Sequence, residues 1–281
     1  MPTCYTVTTP LAPGDIVFSE IHYNPQGDGD TEFIELWNPT THAVNLRGAK
    51  FTAGLSYDFP DNRDVPLAPG GRLVLVASEY NFQLRYGIGI PIAGIYFDRL
   101  GNDGDTLTLA TSANTTLLSL HYDDFAPWPE SADGHGYSLV LANAALPTAA
   151  TSWRTSTTIN GNPGTSDATA FTGTPLADAD NDGLKALAEY FLATSDTNPA
   201  TGPGATTAGR TLDGRATLTF PRRLSADDLT YVVEVSPDLA TWTAATTRTA
   251  HVNNGNGTAT ETWTANTAAT SQFLRVRVTK P

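Results

Sequence analysis

The chain has 281 residues, with 29 acidic against 16 basic side chains and a formal net charge of −13. That length allows two domains of ordinary size, and a surface this negative repels phosphate backbones, which sets nucleic acid aside as a partner while leaving divalent cations in play. A single cysteine, Cys4, excludes an intramolecular disulfide and a thiolate metal site.

No apolar run is long enough to span a bilayer, and the segment Met1 to Pro13 has neither the basic start nor the apolar core of a signal peptide. Cys4 also lacks the context of a lipid anchor. Abundant Thr, Ala and Gly, with 19 prolines, describe many short strands joined by turns.

The first strand-like run is Ile16 to Tyr23, stopped by Asn24-Pro25. Glu32 to Trp37 follows, stopped by Asn38-Pro39. Val44-Asn-Leu46 leads into Phe51-Thr52, and the turn Leu67-Ala-Pro-Gly-Gly71 feeds Arg72 to Val76. Ser78 to Tyr86 is predicted as a short helix, capped by Ser78, with Tyr80, Leu84 and Tyr86 packing inward. Then come strands at Asp105 to Leu109, Leu117 to Tyr122 and Tyr137 to Leu141. Leu107 and Leu109 alternate with threonines, and Leu118, Leu120 and Tyr122 share one face. Such alternation belongs to half-buried antiparallel strands, and about eight of them make a sandwich or barrel.

Ala168 to Pro175 is a small-residue linker. Asp178-Ala-Asp180-Asn-Asp182-Gly183-Leu184, closed by Glu189, then matches a calcium-loop pattern at every constrained position. Asp178, Asp180 and Asp182 take loop positions 1, 3 and 5, and Gly183 makes the sharp turn at 6. Leu184 offers a carbonyl at 7 and Glu189 a two-oxygen carboxylate at 12, so the spacing wraps hard oxygen donors around one Ca2+. Leu184, Leu187, Ala188 and Phe191 fall at helical spacing, which predicts a helix over Gly183 to Thr194. Gly173 and Pro175 forbid an entering helix, so the loop is a single one without the usual first half. A Pro/Gly/Thr linker spans Asn198 to Gly209. The remainder is β again, at Ala216 to Phe220, Tyr231 to Val235, Thr258 to Thr264 and Phe273 to Val278, with a hairpin turn at Asn253-Asn-Gly255.

Signals for catalysis are weak. Glu32 and Glu35, three apart on a strand, face opposite sides and cannot flank one bond. His22, His42, His121, His135 and His251 show no metal spacing. Ser138 near His135 has no third partner. Asp28, Asp30 and Glu32 form a second acidic cluster without a closing ligand, read as a solvated loop. Trp37, Trp153 and Tyr23 are read as core, and Pro127-Trp128-Pro129 as the exception, where a rigid loop would present a ring to a sugar.

Several phrases resemble the lamin-tail domain of exported bacterial proteins. They are Ile16-Val-Phe-Ser-Glu20-Ile-His-Tyr-Asn24-Pro25, Glu32-Phe-Ile-Glu35-Leu, Val44-Asn-Leu46-Arg-Gly48, Leu67-Ala-Pro-Gly-Gly71-Arg-Leu-Val, Gly104-Asp105-Thr-Leu-Thr-Leu109, Tyr122-Asp-Asp124, Pro127-Trp128-Pro129 and Asp133-Gly-His-Gly-Tyr137-Ser-Leu. They run in family order over about residues 15–166 and imply an immunoglobulin-like β-sandwich. The stretch Asp178 to Asn198, with Thr194-Ser-Asp196-Thr-Asn-Pro199, is similar to single calcium loops of the thrombospondin type 3 and dockerin kind. Tyr231 to Ser236, Leu239 to Trp242 and Phe273 to Arg277 resemble small sandwich modules at the C-termini of large exported bacterial proteins.

The expected organisation is therefore a mostly β protein. It has an N-terminal tail at 1–14, a lamin-tail-like sandwich at 15–167, a linker with calcium loop and helix at 168–204, and a small sandwich at 205–281. The resemblances imply an extracellular location after loss of a signal peptide. The expected function is a non-catalytic structural or interaction module with one structural Ca2+, stiffening the joint as Leu187 and Phe191 dock against a neighbouring domain. Its protein, cell-surface or polysaccharide partner is unknown. The alternatives are a carbohydrate-binding module for an enzyme domain outside this chain, and a hydrolase with an unrecognised site.

Overall fold

In the computed structural model, which describes residues 11–27, 29–202 and 204–281, the alternating faces of the first part close on one another. Cys4 and Asp28 lie outside the described residues. Two units separate at residues 167 and 168.

The first unit runs β1 (Val17–His22), β2 (Phe33–Trp37), β3 (Val44–Asn45), β4 (Lys50–Ala53), β5 (Pro66–Leu67), β6 (Arg72–Val76), α1 (Glu79–Tyr86), β7 (Ile92–Ile95), β8 (Asp105–Ala110), β9 (Thr116–Tyr122), β10 (Leu139–Leu141) and β11 (Trp153–Thr155). A six-stranded sheet has the order β11-β10-β1-β2-β6-β7, and a three-stranded sheet has β4-β8-β9. Only the β6–β7 pairing in these sheets is parallel. Phe18, Ile21, Ile34, Leu36, Leu75 and Leu139 from the first sheet meet Phe51, Leu107, Leu109, Leu118, Leu120 and Tyr122 from the second in one core. This is the layered logic of an immunoglobulin-like sandwich.

Strands β1 and β2 are buried on both faces, not one. The outer face of the larger sheet is covered by α1, whose Phe82 packs with Phe33, Val74 and Val76. Helix α1 starts where expected, with the Ser78 hydroxyl accepting the Asn81 N–H at 3.4 Å. Its packing face differs from the prediction. Tyr80 and Leu84 are 75% and 74% exposed, while Tyr86 turns inward as expected and, with Phe82, meets Phe33 edge to face. The sequence offered two apolar i, i+4 pairs, and the one aligned with the aromatic Phe33 is buried. Strands β7 and β11 lacked an alternating pattern of their own and went unpredicted.

The second unit holds α2 (Ala186–Leu192), β12 (Thr207–Arg210), β13 (Ala216–Arg223), β14 (Thr230–Ser236), β15 (Thr246–Asn253), β16 (Thr258–Ala265) and β17 (Phe273–Thr279). Its sheets have the orders β12-β13-β16-β15 and β14-β17. Helix α2 is shorter than Gly183 to Thr194, because the preceding loop takes up residues 183–185 and Ala193 ends the helix in a left-handed cap at φ 58°. Phe191 is 1% exposed and packs at a tilt against Phe220 and Tyr231, with ring centroids 6.0 and 5.0 Å apart. Phe171, Ala186, Phe191 and Leu192 thus share a core with the β-strands that follow them.

Candidate metal centre

The loop is closed by its own backbone hydrogen bonds. The Ala186 N–H donates to Ala177 O at 2.9 Å and the Leu187 N–H to Pro175 O at 3.2 Å, which ties the loop's exit to its entry. Asn181 and Gly183 adopt φ of 61° and 98°. Asn tolerates that left-handed region and glycine occupies it without strain. These two turns aim Asp178, Asp180 and Asp182 at one centre, with one oxygen from each within 4.8 Å of the others.

Each carboxylate divides its oxygens between two jobs. Asp180 Oδ1 accepts the Asp182 N–H at 3.2 Å, Asp182 Oδ1 accepts the Leu184 N–H at 2.8 Å, and Asp178 Oδ2 accepts Lys185 Nζ at 3.3 Å. The other oxygens, Asp178 Oδ1, Asp180 Oδ2 and Asp182 Oδ2, are buried without a hydrogen bond. Glu189 repeats the arrangement from α2. It is fully buried, its Oε1 accepts the Thr194 hydroxyl at 3.1 Å, and its Oε2 is orphaned. Its carboxyl is pushed above the usual range by burial, and then by the charges of Asp180, Asp182 and Asp196. Glu189 stands outside the tight trio of aspartates, and with Oε1 held by Thr194 it offers one free oxygen. The Leu184 carbonyl receives no hydrogen bond among the described residues.

Buried anionic oxygens without partners are costly unless a cation or proton meets them. Four such oxygens from one loop and its helix fit a hard cation by donor type, since hard cations take carboxylate and carbonyl oxygens. The residues present therefore fit a metal ion.

Residues 9–124 match the family model of the Lamin Tail Domain. No curated protein matches the chain. The match covers β1 to β9. Strands β10 and β11 lie beyond it, and they complete the same sheet beside β1.

The remaining sequence candidates fall elsewhere. Glu32 is 4% exposed and not solvated. It accepts the Leu100 N–H at 3.1 Å and pairs with Arg99, which also binds Asp30. Of the two described members of the acidic cluster, Glu32 is thus buried and bonded while Asp30 is held by Arg99 nearer the surface, which corrects the solvated-loop reading at Glu32. Glu35 has different partners: Ser19, Arg72 and the Gly164 N–H. Ser138 is buried and donates to Glu20 Oε1 at 2.5 Å, while His135 is exposed.

Trp128 is also a correction. It is 7% exposed and packs on Trp153 at 5.9 Å, so Pro127 and Pro129 hold the ring in the core and present nothing to a sugar. Trp37 lies under the Arg72 guanidinium at 5.2 Å, and Tyr23 is fully buried. The carbohydrate reading loses the aromatic platform on which it rested.

One polar layer escaped the sequence reading. Glu20 and Glu35 lie opposite each other on β1 and β2. Burial, reinforced by the Glu35 charge, pushes the Glu20 carboxyl up to about 8. Asn162 N–H reaches Glu20 Oε1 at 3.1 Å, and Gly164 N–H reaches Glu35 Oε2 at 2.5 Å, so both acids clamp the segment that covers them. The only available signal was a glutamate inside the apolar run Ile16 to Tyr23.

Proposed function

We propose that the protein is a non-catalytic extracellular module of structural or interaction type, with one structural Ca2+ held by Asp178, Asp180, Asp182, the Leu184 carbonyl and Glu189. The observation that carries this reading is the set of four buried, unpartnered carboxylate oxygens. Without a cation, three aspartates this close repel one another, and a half-exposed Lys185 offsets that only in part.

The ion would act on the second unit's own core. Drawing Glu189 toward the aspartates fixes α2, and α2 carries Phe191 into the β-module. The ion would fasten that unit at its N-terminal end. Single extracellular modules bind Ca2+ at about 10⁻⁴–10⁻³ M, so calcium outside cells suffices to load the loop. The lamin-tail match supports the structural or interaction role. Among the described residues no helix is long and apolar enough to cross a membrane.

Thermal unfolding in calcium and in chelator tests the proposal. Calcium at ten times its dissociation constant stabilises the unit by about 1.4 kcal/mol, which raises its midpoint by several degrees. Superimposable melts in the two buffers would remove the basis of the reading.

A further inference from the structure

We infer that the cation site has a second half: the turn after α2, residues 194–202, folds back over the loop and is part of the calcium-binding unit. The inference rests on the calcium reading above and deepens it. Three residues of the turn carry it.

Thr194 grips Glu189 twice, with its N–H on Glu189 O at 2.9 Å and its hydroxyl on Glu189 Oε1 at 3.1 Å. That grip leaves Oε2 as the free oxygen and sets its direction. Asp196 returns to the start of the loop, where its Oδ1 accepts the Ala179 N–H at 3.2 Å. It fixes the peptide between the first two aspartates and adds a fifth carboxylate to the neighbourhood.

Gly202 closes the far side. It is buried, and a Cβ there would overlap Asp182 Oδ2, the orphaned oxygen, while meeting Leu184 Cδ1 at 3.0 Å. Its φ lies outside the left-handed region. Backbone strain therefore does not call for glycine at 202, and the space next to the free oxygen does. Any side chain at 202 displaces a ligand oxygen without being a ligand itself.

Gly202 and Asp196 are thus positioning residues for the ion. Calcium should order the turn along with the loop, and the turn leads directly toward β12. Five carboxylates against Lys185 make a strongly anionic cradle, suited to a dication over a monovalent ion.

The test uses the full chain. Calcium affinity is measured by calorimetry for the wild type, Gly202→Ala, Asp196→Asn and a control, Ala200→Ser, on the same turn. Hydrogen exchange is followed with and without calcium. Outer residues that orient ligands change metal affinity by about 10-fold to 100-fold. Gly202→Ala and Asp196→Asn should each weaken binding by about 10-fold or more, the control should match the wild type, and calcium should slow exchange at 194–202 as well as at 178–189.

Wild-type affinity in both variants, or protection confined to 178–189, would overturn the inference and leave the calcium site standing. Should Gly202→Ala fail to fold, judged by circular dichroism in chelator, Asp196→Asn and the exchange pattern decide alone. A wild type that takes up no calcium would sink both readings together.

Discussion

Replacing Glu20 by Gln should remove a pH dependence from the first unit. Glu20 is 2% exposed and its carboxyl is pushed up to about 8, by burial first and the Glu35 charge second. In the unfolded chain it titrates near 4.5. Between those values the folded state holds a proton that the unfolded state has released, so stability falls as pH rises through that window. The slope is about 1.4 kcal/mol per pH unit for one proton.

His22 acts in the opposite sense. Burial, then the Arg85 charge, lowers it from 6.5 to about 3, so its contribution is lost as pH falls below 6.5. The two slopes oppose each other at mildly acidic pH, and the Glu20 effect stands clear between about 6.5 and 8, amounting to about 2 kcal/mol. The groups facing Glu20 are Glu35, Ser138, Asn162 and Asp167. Both donors to Glu20, the Ser138 hydroxyl and the Asn162 N–H, reach Oε1, so a glutamine oxygen keeps both bonds. The assay is native-state exchange at the Asn162 and Gly164 amides, corrected for intrinsic pH dependence. Protection in the wild type should decline from pH 6.5 to 8, and in Glu20→Gln it should stay level. Equal slopes in the two proteins would refute the reasoning.

Phe191→Ala removes a ring that is 1% exposed and packed against Phe220 and Tyr231; urea unfolding should show a loss of about 3–5 kcal/mol in the second unit. Trp128→Ala should lower first-unit stability by a similar ~3–5 kcal/mol while leaving a glycan array as it was, since the ring is buried. Lys185→Gln removes the cation that competes for Asp178. Calorimetry should then show calcium binding tightened by up to about fivefold, the scale of an exposed ion pair worth under ~1 kcal/mol.

The sandwich was legible where one face of a strand is wet. Leu118, Leu120 and Tyr122 alternate with exposed Ser119 and His121, so period two appears directly in the sequence. It was less legible where both faces are buried. In β1, Glu20 and His22 sit among apolar residues, and nothing local distinguishes a clamped acid from a solvated one. Exposed edge strands were missed in the second unit: β12 is exposed throughout and β15 nearly so, and neither the Thr-Ala-Gly-Arg of β12 nor the Thr-rich β15 carries an apolar alternation. The loop was legible because ligand spacing is a local property. Gly202 was not, because its approach to Asp182 depends on how the chain returns after α2. Trp128 misled for a related reason: flanking prolines fix a loop's shape and leave open which way its ring points.

The most direct measurement of the central claim is calorimetric titration of calcium into the chelator-stripped chain, beside Asp180→Asn and Glu189→Gln. The account predicts one ion per chain bound at about 10⁻⁴–10⁻³ M or tighter, with binding lost or weakened at least tenfold in both variants. No binding heat in the wild type, or binding that both variants retain, would contradict it.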